Sequence, residues 1–190
     1  FKLTFKTFIM QIIIFTIKRK YKGKIVFGSE RCCWPDKSLQ QQYPTVDKPN
    51  RYLNSGTFIG WSDDIKKLVD LPIKDSADDQ LYYTLRFFES LQNDKKIVLD
   101  YDNCLFLCLN DATNTEILFN KSCFTINDTR PCFIHGNGPA NVKRQLNRLS
   151  NYCVGGWNST YGYKCMSNMT GIPKVMILYE EYPCSSEDAV

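Results

Sequence analysis

The sequence predicts one α/β domain with a mixed or largely parallel β-sheet. Short apolar runs of strand character alternate along the chain with segments whose apolar residues recur at helical spacing. At 190 residues, the chain is long enough for one domain with a substantial core and too short for two comfortable ones. Hydrophobic residues make up 43% and charged residues 23%, a composition typical of globular rather than disordered chains.

The first apolar run, Phe8 to Ile17, has two interpretations: a buried strand or the hydrophobic region of a signal peptide. A run of this length is too short to cross a bilayer, and no small-residue cleavage site follows it. The chain begins with Phe rather than Met, and few residues separate this run from the next predicted strand. We therefore expect residues 1–23 to be an altered N-terminal segment of a truncated domain.

The first half of the chain then predicts strands and two helices. KIVFGSE (24–30) is a predicted strand, and 51–61 is predicted to form a strand on either side of Gly56. Ser62 is predicted to cap a helix. Ser76 and Asp79 have the spacing of a capping box, which predicts a second helix through residues 81–88.

The second half predicts six strands and one more helix. The strands are KIVLDY (96–101), CLFLCLN (104–110), EILF (116–119), CFTIN (123–127), CFIHG (132–136) and KVMILYEEY (174–182), and the helix is VKRQLNRLSNY (142–152). We interpret the last strand as the start of a following domain, so the expected divisions are 1–23, 24–170 and 171–190.

Charge and cysteine content restrict the functional class. The net charge of +4 comes largely from one local cluster between residues 18 and 24, which does not favour nucleic-acid binding. Nine cysteines without paired CxxC motifs do not indicate structural zinc. Four N-glycosylation sequons favour the secretory pathway; they begin at Asn120, Asn127, Asn158 and Asn168.

Four loops are predicted to meet at the carboxyl ends of the strands, where α/β sheets bind ligands. They are SERCCWP (29–35), LNSGTFIG (53–60), SADDQ (76–80) and IHGNGP (134–139). Each has a structural alternative. Gly56 is as consistent with a strand bulge as with a close approach to a ligand. Asp78 and Asp79 can stabilise a helix dipole, bind sugar hydroxyls or act as a base. His135, the single histidine, is either a surface imidazole or a ligand of a divalent cation.

Five motifs in order, SERCCWPD, RYLNSGTFIGW, DDQLYYT, LDYDNCLF and IHGNGP, resemble the N-terminal glycosyltransferase domain of the procollagen lysyl hydroxylases. The resemblance covers about residues 24–152. The resemblance implies a GT-A type, Rossmann-like fold. It also implies that the protein resides in the lumen of the endoplasmic reticulum or in the secretory pathway. The implied activity is transfer of glucose or galactose from UDP-glucose or UDP-galactose to hydroxylysine or galactosylhydroxylysine of collagen, with Mn²⁺ as cofactor.

The same resemblance implies roles for individual residues. His135 would be the Mn²⁺ ligand, and Asp78 and Asp79 the acidic pair used in transfer. The implied substrate-binding residues are Glu30, Cys33, Trp34, Asn54, Ser55, Gly56, Gln80, Asn137, Gly138 and Lys143. A homodimer formed through the full-length protein is a further expectation.

The sequence also departs from the family pattern. No aspartate precedes Asp36, so the upstream Asp-x-x-Asp metal motif is missing from this sequence, and we expect impaired donor binding. Three hypotheses therefore stay open: a working glycosyltransferase domain, a non-catalytic module of the same fold that supports oligomerisation or collagen docking, and an intracellular redox or metal protein. With one histidine, the chain cannot supply the two-histidine, one-carboxylate iron site of a dioxygenase.

Overall fold

The computed structural model describes residues 5–70, 74, 76–113, 116–120, 123–138 and 176–179. Three helices lie in this part of the chain, α1 (Phe5–Arg19), α2 (Ser62–Val69) and α3 (Asp79–Gln92), with a short 3-10 helix at Lys37–Gln42. The strands are β1 (Ile25–Glu30), β2 (Tyr52–Ile59), β3 (Ile97–Leu99), β4 (Phe106–Cys108), β5 (Ile117–Asn120), β6 (Cys123–Ile126), β7 (Phe133–Gly136) and β8 (Met176–Tyr179).

The strands form two three-stranded sheets and a hairpin. The first sheet has the order β2-β1-β3, in which β1 is antiparallel to β2 and parallel to β3. The second sheet, β4-β7-β8, is parallel throughout, and β5 pairs with β6 as an antiparallel hairpin. The predicted mixed α/β architecture is therefore confirmed.

Strand β1 is buried along its whole length because helices cover it from two sides. Ile25 and Phe27 belong to a cluster with Phe87 of α3. Val26, which alternates with them, packs with Ile13 of α1. A strand enclosed in this way holds its last residue, Glu30, in a fixed position inside the domain.

The strand interpretation of the first apolar run is wrong, because Phe5–Arg19 is a helix. A short apolar run does not distinguish a buried strand from a buried helix, and here one face of the helix packs on the sheet through Ile13 and Ile17. Tyr21, just after the helix, donates a hydrogen bond to the buried Asp100 carboxylate and so ties this end to the sheet. Among the helices of the described residues, none is long and apolar enough to cross a membrane.

Both predicted helix caps differ from those observed. Ser62 is the first residue of α2, where Trp61 holds the N-cap position without a side-chain hydrogen bond. In α3 the cap is Asp78, whose carboxylate accepts from the backbone N–H of Leu81 at 2.9 Å. The cap prediction at Ser76 is therefore wrong, because a carboxylate immediately before the helix accepts the N–H three residues on.

Within the described residues, the remaining elements agree with the predictions except in two places. The two strands expected around Gly56 form one strand, β2. Strand β8 pairs with β7 in the same sheet, so the division expected at residue 171 separates two paired strands. The helix predicted at 142–152 lies outside the described residues.

Candidate functional site

The candidate site lies where the carboxyl ends of β1, β4 and β7 come together. Glu30 is the last residue of β1, Asn110 follows β4, and Asn137 follows β7. Hydrogen bonds join Asn110 to Asn137 and Asn137 to Glu30. Polar side chains therefore converge at the edge of the sheet where α/β folds bind ligands.

Glu30 is the centre of this arrangement. Its buried carboxylate accepts hydrogen bonds from Gln80 Nε2 at 2.7 Å, Asn137 Nδ2 at 2.7 Å and Asn54 Nδ2 at 3.3 Å. The side chain of Asn110 also lowers the pKa of this carboxyl group. Four amide side chains from four different segments therefore act on one carboxylate, three of them through hydrogen bonds.

The amide oxygens of three of these side chains are held by backbone N–H groups, which fixes their orientation. Asn54 Oδ1 accepts from the N–H of Gly56 at 3.1 Å, and Gln80 Oε1 accepts from the N–H of Ser55 at 3.2 Å. Asn137 Oδ1 accepts from the N–H of Asn110 at 3.0 Å. Each amide NH₂ therefore faces Glu30 as a donor, an arrangement that suits the ionised carboxylate.

Two opposing effects act on the protonation of Glu30. Burial raises the pKa of the carboxyl group, whereas the amide donors favour its charged form and lower it, and the net shift is upward. None of the ion pairs among the described residues involves Glu30. A buried carboxylate with amide donors and no cationic partner in this part of the chain is poised to accept a hydroxyl donor or attract a cation.

Next to this cluster, β2 makes a bulge that brings Gly56 against His135. In the pairing of β1 with β2, Phe27 faces Phe58 and the next residue, Gly28, faces Asn54, so residues 55–57 have no partner in that ladder. The buried ring of His135 occupies the space into which a side chain at Gly56 would project. The bulge alternative for Gly56 is confirmed, and the bulge also allows the imidazole to lie close to the backbone.

The acidic pair at the start of α3 is divided in its roles. Asp78 is the helix cap, and Asp79 is an exposed residue of the first turn. No hydrogen bond or ion pair among the described residues joins either one to Glu30 or His135. The next residue, Gln80, is buried and connects α3 to both Glu30 and Ser55.

The remaining predicted site residues differ in exposure. Cys33 is buried in the core cluster, and its thiol donates to the carbonyl of Asp36 at 3.2 Å. Trp34 is 60% exposed, while its carbonyl oxygen accepts from Gln80 Nε2 at 3.3 Å. Gly138 lies in the turn after Asn137, and Lys143 falls outside the described residues. The bonding of its carbonyl places Trp34, but not the thiol of Cys33, beside the Glu30 cluster.

Residues 7–163 match the family model described as the PLOD GT domain. The chain belongs to the PLOD glycosyltransferase domain family. The match, together with the mixed α/β architecture, agrees with a GT-A-like fold.

Three relatives illustrate the extent of the similarity. An uncharacterized protein of Acanthamoeba polyphaga mimivirus, R699, is 41% identical over 142 residues, which cover 72% of this chain and 30% of that protein. The human multifunctional procollagen lysine hydroxylase and glycosyltransferase LH3 is 38% identical over 147 residues, covering 74% of this chain and 20% of LH3. The corresponding protein of Caenorhabditis elegans is 37% identical over 160 residues, covering 77% and 22%. The chain therefore matches less than a third of the length of each of these proteins.

A Mn²⁺ site needs several ligands, of which carboxylate oxygens are the preferred kind. Among the described residues, no group of three or more His, Cys, Asp or Glu side chains could hold a metal ion. His135 alone does not fit Mn²⁺, which favours carboxylate oxygen ligands. The described residues therefore include one possible ligand, the imidazole of His135, and do not form a complete metal site by themselves.

One residue of this site, Asn110, was not identified from the sequence. Its signal was positional: Asn110 is the last residue of the predicted strand CLFLCLN, and Asn137 directly follows CFIHG. Polar residues at the carboxyl ends of neighbouring parallel strands converge in space, and that rule selects Asn110.

Proposed function

We propose that this chain forms the donor-binding part of a UDP-sugar-dependent glycosyltransferase domain acting on collagen. The transferred sugar is glucose or galactose, and the acceptor is galactosylhydroxylysine or hydroxylysine. Membership of the PLOD glycosyltransferase domain family supports the proposal, as does similarity to LH3 of rat and human, a multifunctional procollagen lysine hydroxylase and glycosyltransferase. The observation that carries it is the convergence of four amide side chains on the buried Glu30 at the strand ends.

Glu30 and its amide partners have the chemistry of a sugar subsite. An ionised carboxylate accepts strong hydrogen bonds from sugar hydroxyls, and neighbouring amides can both donate and accept. The bulge at 55–57 brings backbone next to this group without an intervening side chain at Gly56. We assign Glu30, Asn54, Ser55, Gly56 and Gln80 to the sugar end of the donor.

The turn after β7 is suited to the diphosphate end. Gly138 adopts a φ of +84°, a conformation that favours glycine, and directly follows the bonded Asn137. Backbone N–H groups in such a turn form concave sites for phosphate oxygens. This assignment places the leaving group next to His135, with Lys143 as an additional proposed diphosphate contact.

The exposed residues at the entrance suit the acceptor. Asp79 is exposed at the first turn of α3, where a carboxylate can orient an acceptor hydroxyl or stabilise positive charge developing at the anomeric carbon. Trp34 presents an exposed ring beside Gln80 on which a sugar can pack. Asp78 has a separate role, because its carboxylate caps the helix that carries Asp79 and Gln80.

Mn²⁺ and residence in the endoplasmic reticulum belong to the same proposal. When bound, a divalent ion would neutralise charge on the departing UDP. His135 is the ligand that the described residues would contribute. Collagen as acceptor implies residence in the secretory pathway, where the four sequons would be available for glycosylation.

Turnover with a defined acceptor tests the proposal. The full chain is incubated with UDP-glucose or UDP-galactose, Mn²⁺ and a collagen peptide carrying galactosylhydroxylysine or hydroxylysine, and the product is measured by mass. We expect a gain of one hexose on the peptide, at a reduced rate because the upstream aspartate metal motif is missing from this sequence, and we expect this gain to be lost in Glu30→Gln. Donor binding without transfer would favour the non-catalytic module, and the absence of both would overturn the proposal.

A further inference from the structure

We infer that Asn110 is a positioning residue for the donor-binding turn at Asn137 and Gly138. This inference rests on the proposed function, since it concerns the same pocket. It assigns a role to a residue outside the segments whose motifs indicated the site. Its basis is the set of contacts that Asn110 makes with the ends of two other strands.

Asn110 is linked to the end of β1 through the turn after β7. Its backbone N–H donates to Asn137 Oδ1 at 3.0 Å, and Asn137 Nδ2 donates to the buried carboxylate of Glu30 at 2.7 Å. The side-chain amide of Asn110 also lowers the pKa of the Glu30 carboxyl group, because it favours the charged form. The three residues are therefore linked in one chain of hydrogen bonds.

The side chain of Asn110 also forms one wall of the turn. A Cβ atom at Gly138 would lie 2.8 Å from both Cγ and Oδ1 of Asn110. The turn backbone therefore packs directly on the amide, and the φ of +84° at Gly138 is adopted against this wall. A change in the orientation or charge of the Asn110 side chain would therefore shift the backbone at Gly138, where we place the diphosphate.

Two substitutions at Asn110 distinguish a positioning role from a packing role. Alanine removes an amide that favours the charged form of Glu30 and opens space beside Gly138. Aspartate keeps the shape of asparagine but replaces the donor with an acceptor, which places a second carboxyl group next to Glu30. A packing role predicts that Asn110→Asp resembles the wild type, whereas a positioning role predicts that it is worse than Asn110→Ala.

Calorimetric titration with UDP-glucose and amide hydrogen exchange together test the inference on the full chain. The matched control is Asn93→Ala, which makes the same change at an exposed residue after the last turn of α3. We expect Asn110→Ala to weaken donor binding about tenfold and to speed exchange at residues 136–138. Asn110→Asp should weaken binding further, and the control should change neither measurement.

The inference is overturned if Asn110→Asp binds the donor as the wild type does, or if exchange at residues 136–138 is unchanged in both variants. A wild-type chain that binds no donor would instead contradict the proposed function. In that case the exchange measurement still tests whether Asn110 holds the turn.

Discussion

The imidazole of His135 occupies the space where a side chain at Gly56 would lie. A methyl group at Gly56 would come within 2.7 Å of Cε1 and 3.1 Å of Cδ2, and still closer to Nε2. This proximity links the bulge of β2 to the end of β7 and defines the inner wall of the proposed donor pocket.

Gly56→Ala should therefore displace the histidine ring or the bulge. We expect a loss of about 1 to 3 kcal/mol in the free energy of unfolding, measured in urea, together with weaker donor binding. Gly60→Ala is the matched control, because a Cβ there would meet Ile25 Cγ1 at 3.1 Å, a milder contact away from His135. Equal stability of Gly56→Ala and the wild type would show that the ring does not occupy this position.

Glu30 should be important for stability as well as for binding. Glu30→Ala leaves the NH₂ group of Asn137 without its acceptor and removes the shorter of the two hydrogen bonds that Gln80 Nε2 donates. We expect it to lower the free energy of unfolding by about 2 to 4 kcal/mol, and Glu30→Gln, which keeps the shape and one amide oxygen, to lower it less. A urea titration of both variants against the wild type measures this, and no loss in Glu30→Ala would contradict the hydrogen-bond arrangement.

Mutations of Asp78 and Asp79 should have different effects, one on stability and the other on hexose transfer. Asp78→Ala removes the helix cap and should cost about 1 kcal/mol of stability. Asp79→Asn should change stability by less than about 0.5 kcal/mol, since the residue is exposed, but should abolish hexose transfer. Thermal unfolding and turnover are measured for both, and full transfer by Asp79→Asn would remove Asp79 from the proposed chemistry.

The ion pair between Arg31 and Glu116 predicts an acid-sensitive contribution to stability. The Arg31 Nη2 to Glu116 Oε1 distance is 2.6 Å. Burial alone would raise the pKa of Glu116, but hydrogen bonds from Arg31 and Thr113 outweigh it and lower the pKa to about 2. Because the folded value lies below the ordinary value of 4.5, the stabilisation is complete above pH 4.5 and is lost as the pH falls toward 2.

Glu116→Gln should accordingly be less stable than the wild type at pH 7 and equal to it near pH 2. Urea unfolding at pH 7, 3.5 and 2 measures this difference. The pKa of Glu30 is shifted in the opposite direction, so its contribution falls as the pH rises above 4.5. A constant difference between Glu116→Gln and the wild type at all three pH values would contradict the ion pair.

Much of the fold followed from local patterns in the sequence. The strand ending at Glu30 and the helix containing Phe87 were predictable because strand-like and helical apolar patterns were clear there. The helix at Phe5–Arg19 was not, since a short run rich in isoleucine suits a buried strand as well as a buried helix. Tertiary contacts decide between strand and helix here, and they involve distant residues such as Asp100, which accepts the hydrogen bond from Tyr21.

The site was predicted as separate segments rather than as a connected arrangement. Glu30, Asn54, Gln80 and Asn137 were each implied by the family resemblance, but their hydrogen bonds join residues as far apart as 107 positions along the chain. No local pattern specifies such contacts. Cys33 shows the reverse case, because a thiol in a predicted binding loop packs into the core.

The central claim is that Glu30 and its amide donors form a sugar-nucleotide pocket. Calorimetric titration of the full chain with UDP-glucose, in the presence and absence of Mn²⁺, tests this claim. The account predicts saturable binding of one donor per chain that is at least about tenfold weaker in Glu30→Gln. Tighter binding with Mn²⁺ would add support for a metal ligand role of His135. Undetectable binding by the folded wild type, or the same affinity in Glu30→Gln, would contradict the account.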